Sequence, residues 1–144
     1  MRISSRFTIA VHVLICIETF KNDYKVTSEF LASSVNVNPV VIRRLLLQLK
    51  KAGLINVKRG SGGADIEKPL DRITLLDVYN AVECVEEGSL FHFHESPNPL
   101  CPVGKNIHAL LDGRLEDIQK AMEKEMSSVT IQDIMSDAER LIKI

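Results

Sequence analysis

The stretch from Asn38 to Ile66 constrains this chain more than any other, because it places four local signals in an order that few folds can use. Asn38-Pro39 reads as an N-cap followed by proline at the first helical position, where the missing N–H would have had no partner anyway. Ile42, Leu45, Leu46 and Leu49 then recur at helical spacing, and Gly53 stops the helix after about Ala52. Leu54, Ile55 and Val57 make a short apolar run of strand character. Arg59-Gly60-Ser61-Gly62-Gly63 reverses the chain, and Ala64 to Ile66 can return as a second strand.

The residues before this stretch supply what such a helix and hairpin need to pack against. Ser4 to Phe20 reads as a helix that Phe7, Ala10, Val11, Val13, Leu14 and Ile17 make apolar round most of its circumference. A helix of that kind is buried on several sides. His12 and Cys16 lie within it and read as core residues. Thr27 or Ser28 caps a second helix with Phe30, Leu31 and Val35 inward, and Asn36 to Asn38 form a tight turn. Helix, helix, turn, helix and glycine hairpin, in that order, predict a mainly α fold built on a winged helix-turn-helix with a two-stranded wing.

Downstream, Pro69 marks a linker, and Thr74 with Asp77 resembles a capping box that opens a fourth helix carrying Leu75, Val78, Tyr79, Val82 and Val85. A loop with Pro97, Pro99 and Pro102 separates it from a long helix over Val103 to Met126. Thr130 then caps a final helix with Ile131, Ile134 and Met135 as apolar positions. The expected organisation is a winged helix-turn-helix DNA-binding domain over 1–85, a loop over 86–102, and a dimerisation helix with a C-terminal helix over 103–144. Within the first part, the helix-turn-helix covers about 28–51 and the wing about 54–66.

Charge says what the winged helix faces. The net charge of −1 hides a division: residues 1–63 hold ten Lys/Arg against three Asp/Glu (+7), and residues 64–144 hold eight against sixteen (−8). A basic front half points to a polyanion. The third helix is slim enough to enter a major groove about 12 Å wide. Asn38, Val40, Val41, Arg43 and Arg44 lie at its leading end. Arginine can bond guanine bidentately, and valine can touch a thymine methyl. Lys50 and Lys51 suit phosphates, as does Ser28 at the start of the second helix. On the wing, Lys58, Arg59, Ser61 and Gly62 are the candidate contacts, with Arg59 placed to enter a narrow, electronegative minor groove. Read singly, the third helix is also an ordinary amphipathic surface helix and the glycines a plain turn; jointly they predict a sequence-specific binder of double-stranded DNA.

At these residues the chain resembles the Rrf2 family of winged-helix transcription regulators. The matching stretches are MRISSRFTIAVHVL, SEFLASSVNVNPVVIRRLLLQLKKAGLINVKRGSGG, ITLLDVYNAVE, CPVGKNIHALLDGRL and VTIQDI, which together span nearly the whole chain. The resemblance implies a dimeric regulator whose recognition helix begins near Asn38. It implies that Arg2, Ser4 and Arg6 lie near phosphate and that Arg59 is the groove-entering wing residue. Ala64 stands where many relatives carry an aromatic, and Val41 where some carry Tyr, which bears on the operator sequence. Several relatives hold an iron–sulfur cluster on three cysteines between the fourth and fifth helices. Here Cys101 falls at the last of those positions, while Ser89 and Glu95 mark the stretch of the other two. One thiolate is too few for the usual arrangement, so no cluster or other cofactor is expected.

Cys16, Cys84 and Cys101 lie far apart, which does not suit a secreted disulfide framework. Cys101 at a helix start is a candidate redox sensor. His92, His94, Cys101 and His108 are weakly spaced for a metal and read as loop polar residues and a lone thiol. Thr8, His12, Glu18 and Thr19 interrupt the most apolar stretch, which lacks the roughly 20 apolar residues that span a bilayer. Without a secretory cleavage pattern, the expectation is a cytoplasmic protein with no membrane partner.

The long helix predicts a homodimer. About 24 residues at about 1.5 Å each extend roughly 36 Å, and Ile107, Leu111, Leu115, Ile118 and Met122 form a stripe longer than one winged helix can cover. A two-fold dimer presents two recognition helices, hence a pseudo-palindromic operator. The expected function is a repressor that competes with polymerase at a promoter and answers to an unidentified effector. A protein–protein adaptor would not need the basic third helix or Arg59. An enzyme would need a phosphate-cradling loop, a nucleophile elbow or a carboxylate pair, and no spacing here supplies one.

Overall fold

The computed structural model describes residues 4–60, 62–82 and 90–142. Arg2, Ser61, Cys84, Val85 and Ser89, all named above, lie outside the described residues. The elements are α1 (Arg6–Phe20), α2 (Ser28–Val35), α3 (Pro39–Lys51), β1 (Ile55–Val57), β2 (Ala64–Ile66), a 3-10 turn (Leu70–Arg72), α4 (Leu75–Ala81), α5 (Pro102–Ser128) and α6 (Ile131–Ile142). The fold is the expected mainly helical winged helix-turn-helix, with β1 and β2 antiparallel and Ile55, Asn56 and Val57 opposite Ile66, Asp65 and Ala64.

The helices start where side chains can satisfy their orphan N–H groups. Thr27, rather than Ser28, caps α2, its hydroxyl accepting from Phe30 N at 3.2 Å. Asn38 Oδ1 accepts from Val40 N at 2.9 Å to cap α3, with Pro39 at the first position. Thr74 and Asp77 complete a reciprocal capping box on α4. Each such cap stabilises its helix by about 1 kcal/mol. The turn between α2 and α3 closes on Asn36 in the left-handed region (φ 63°), a conformation that asparagine tolerates.

Leu14 and Ile17 of α1, Leu31 of α2, and Ile42, Leu45 and Leu49 of α3 meet in one core with Ile55, Ile73, Val78 and Val82, each essentially inaccessible. Every such aliphatic contributes about 1.5–3 kcal/mol on burial. Cys16 belongs to this core as expected, but His12 does not. His12 is exposed, and its Nε2 lies 3.0 Å from Ser34 Oγ on α2.

α6 returns to this core. Ile131 and Met135 are buried in it, and Ile131 N donates to Ile73 O at 2.8 Å. Thr130 bridges Thr74 in antiparallel fashion, and Thr130 with Asp133 repeats the reciprocal cap seen at Thr74 and Asp77. α6 therefore packs on α1 and the 3-10 turn rather than running with α5 as a separate arm. α5 is different: its 27 residues, about 40 Å at 1.5 Å each, include none that is buried. It packs chiefly on α4. Among the described residues no single helix is long and apolar enough to cross a membrane.

Candidate nucleic-acid interface

α3 divides cleanly. Its buried stripe is Ile42, Leu45, Leu46 and Leu49, and the opposite face carries Val40, Val41, Arg43, Arg44, Leu47, Lys50 and Lys51, all exposed. Leu47 leaves 67% of its surface to solvent and Val40 55%. Apolar side chains held out in the middle of a cationic face are poor solvent chemistry and good base-edge chemistry. Leu47 was not among the contacts expected from sequence; its spacing of seven from Val40 and four from Arg43 is the signal that places it there.

The wing stands beside this face. Gly63 adopts φ +80°, and a Cβ there would meet Val26 N at 2.9 Å. Only glycine lets the returning strand approach so closely. Lys58 N donates to Gly63 O, and Ala64 N to Val26 O, each at 2.9 Å, so the hairpin is tied to the segment that leads into α2. A groove of about 550 Å³ runs between wing and helix-turn-helix, floored by Val26, Leu46, Val57 and Ala64, with Ser28, Arg43, Leu47 and Lys58 on its lining. Arg59 and Gly60 form the exposed tip, and Gly62 closes the turn against Lys58.

Two of the candidate cations are already paired. Arg43 Nη2 donates to Glu29 Oε1 at 2.8 Å, and Lys58 Nζ lies 3.3 Å from Asp65 Oδ2. Among the described residues no ion pair holds Arg44, Lys50, Lys51 or Arg59. Ser4 and Arg6 sit together at the start of α1, with Ser4 Oγ accepting from Arg6 N at 3.2 Å and Arg6 Nε at 3.3 Å. Asn38 Oδ1 accepts the α3 cap bond, and both of its amide N–H groups remain for a base or phosphate.

Away from this face, Cys101 is exposed at the N-cap of α5. The backbone N–H groups of Gly104 and Val103 hold its thiol below the ordinary range. His92 and His94 are exposed, and His108 stacks on Phe93 at 4.2 Å between centroids while facing Asp112 at 3.1 Å. Among the described residues no three His, Cys, Asp or Glu side chains converge to hold a metal ion. On α5 the expected seam residues Ile107, Leu111, Leu115 and Met122 are half-exposed and Ile118 is 52% exposed, all along one side.

Comparison with known proteins agrees with this arrangement. The family model of Rrf2, described as an iron-dependent transcriptional regulator, matches residues 3–137. YwnA of Bacillus subtilis (strain 168), named as a candidate HTH-type transcriptional regulator, is 46% identical over 134 residues, which is 93% of this chain and 97% of that protein. A solved structure described as that of a candidate DNA-binding protein is 41% identical, with a TM-score of 0.72 over 91% of this chain and 99% of the other. CymR, the global cysteine regulator of B. subtilis, shares the fold at 21% identity, with a TM-score of 0.68 over 94% and 97%. The iron in the family description finds no matching ligand set among the described residues: Cys101 stands alone at the start of α5, and Cys16 is packed in the winged-helix core.

Proposed function

The chain belongs to the Rrf2 family of DNA-binding transcriptional regulators, and from that premise we propose that it is a homodimeric repressor that reads a pseudo-palindromic operator without an iron–sulfur cluster. The observation that carries the reading is the exposed face of α3, where Val40, Val41 and Leu47 alternate with Arg43 and Arg44 beside a glycine-built wing. Arg43 and Arg44 read guanine edges, and the valines and Leu47 select thymine methyls. Lys50, Lys51, Ser28, Ser4 and Arg6 set the register by holding phosphates. Arg59 at the wing tip enters the adjacent minor groove and reads its width.

The dimer is supported by α5. Its 27 residues pack chiefly on α4 with none buried, and the half-exposed apolar side that this leaves calls for a second copy of itself. Two winged helices held at its ends cover a promoter and exclude polymerase, which gives repression in the cytoplasm. The activated Cys101 thiol at the root of the same helix is the place where an oxidant would act on the dimer.

Filter binding at graded salt tests the reading. Each phosphate contact adds roughly 0.9 to the slope of log affinity against log salt. Lys50→Ala and Lys51→Ala should each lower the slope by about one and weaken all duplexes alike. Arg59→Ala should weaken operator binding most where A·T-rich steps flank the major-groove contact. A chain whose duplex affinity is flat with salt refutes the DNA reading, and an Arg59→Ala variant that binds every duplex as the parent does refutes the wing assignment.

A further inference from the structure

Glu29 stands where a carboxylate is out of place. It occupies the first turn of α2, on the lining of the groove between recognition face and wing, in a half of the chain with ten basic and three acidic residues. A DNA backbone approaching here meets a fixed negative charge. The carboxylate is not idle: Oε1 accepts from Arg43 Nη2 at 2.8 Å and Oε2 from Ser28 Oγ at 3.1 Å. One acid thus gathers a donor from each helix of the helix-turn-helix, and both donors are candidate DNA contacts. The Arg43 guanidinium, ahead of its own backbone and Ser28, holds the Glu29 carboxyl below the usual carboxylate range, so it is ionised at neutral pH.

Stability does not explain the pair. Glu29 is 65% exposed and Arg43 54% at their side chains, and ion pairs of that exposure add little to folding. Geometry points to recognition. The pair is made through one nitrogen of a guanidinium that carries five N–H donors in a fixed fork, while a guanine is read by two parallel donors on O6 and N7.

We propose that Glu29 is a specificity-determining residue of the operator contact: it positions Arg43 by one nitrogen, leaves the rest of the fork for a guanine, and penalises duplexes that offer Arg43 no guanine. The inference rests on α3 being the recognition helix. At an operator, two new bonds to guanine offset the approach of the carboxylate to the DNA. At any other sequence the repulsion between Glu29 and the backbone is left uncompensated, and Arg43 cannot swing to a phosphate without abandoning its partner. Glu29 acts through Arg43, so the test must read sequence discrimination and not affinity alone.

The test uses the full chain, an operator selected from genomic fragments, and a random duplex of equal length, compared by fluorescence anisotropy at one salt concentration. The variants are Glu29→Gln, Arg43→Ala and the two together, with circular dichroism melting to check the fold. Glu29→Gln should bind the random duplex about threefold more tightly, by removing one charge from a phosphate-facing surface. It should weaken operator binding about two- to threefold, because Arg43 is no longer positioned, so the ratio of specific to random binding falls roughly six- to ninefold, within what one bidentate base contact discriminates. In the Arg43→Ala background the same substitution should raise both affinities alike and leave the ratio where it was. An unchanged ratio in Glu29→Gln, or an equal fall without Arg43, overturns the proposal while Arg43→Ala still loses the operator. If Arg43→Ala discriminates as the parent does, the assignment of α3 fails, and this proposal with it.

Discussion

Ile118→Asp isolates the role of α5. Ile118 lies on the apolar side of that helix with 52% of its surface in solvent, flanked at helical spacing by Leu111, Leu115 and Met122. Full burial of an isoleucine is worth roughly 1.5–3 kcal/mol, so the half still exposed offers about 1 kcal/mol. A two-fold interface uses each position twice, which makes about 2 kcal/mol lost on substitution. The two new carboxylates must also be desolvated near the axis without partners, at several kcal/mol more. A total of about 4–6 kcal/mol raises the dimer dissociation constant by roughly three to four orders of magnitude. Sedimentation equilibrium from nanomolar to tens of micromolar protein reads this directly. The parent should be a dimer throughout and Ile118→Asp a monomer over most of the range. No residue of α5 contributes to the winged-helix core, so the variant's melting should stay close to that of a dissociated parent. A monomeric parent at micromolar concentration with full operator affinity, or a variant that dimerises as the parent does, refutes the reasoning.

Gly63→Ala should destabilise the chain by about 2–4 kcal/mol, because a positive φ and contact with the Val26 backbone at 2.9 Å both oppose a Cβ. Gly60→Ala, also at positive φ but with nothing within 4 Å, should cost only about 1 kcal/mol, and equal losses in urea melts would discredit the close-approach argument. Iodoacetamide labelling followed by peptide mapping should show Cys101 reacting with a midpoint below the ordinary thiol value of about 8.5, and Cys16 protected until the chain unfolds. The sign follows from the backbone N–H groups, which favour the thiolate; a midpoint at or above the ordinary value removes that basis for a sensor.

What the sequence determined by itself is whatever depends on neighbours within one or two turns. Asn38-Pro39, the leucine stripe of α3, the stop at Gly53 and the glycine turn are each legible because caps, helical periodicity and positive φ are set by the backbone nearby. So are the Thr74 capping box, the Thr130 cap and the length of α5. The exposed face of α3 was readable for the same reason, including the place of Leu47 on it beside Val40 and Arg43. Tertiary structure decided the rest. α1 is apolar nearly all round, so periodicity could not say which of its positions stays in solvent, and His12 turns out exposed beside Ser34. α6 carries an apolar side that α5 or the core could have taken; the hydrogen bond from Ile131 to Ile73 ties it to the core. Glu29 and Arg43 lie fourteen residues apart on different helices, and nothing in their local spacing announces a pair. Burial periodicity tells a helix which side to hide, but not against what, and a charge in sequence does not choose its partner until the chain has brought the two together.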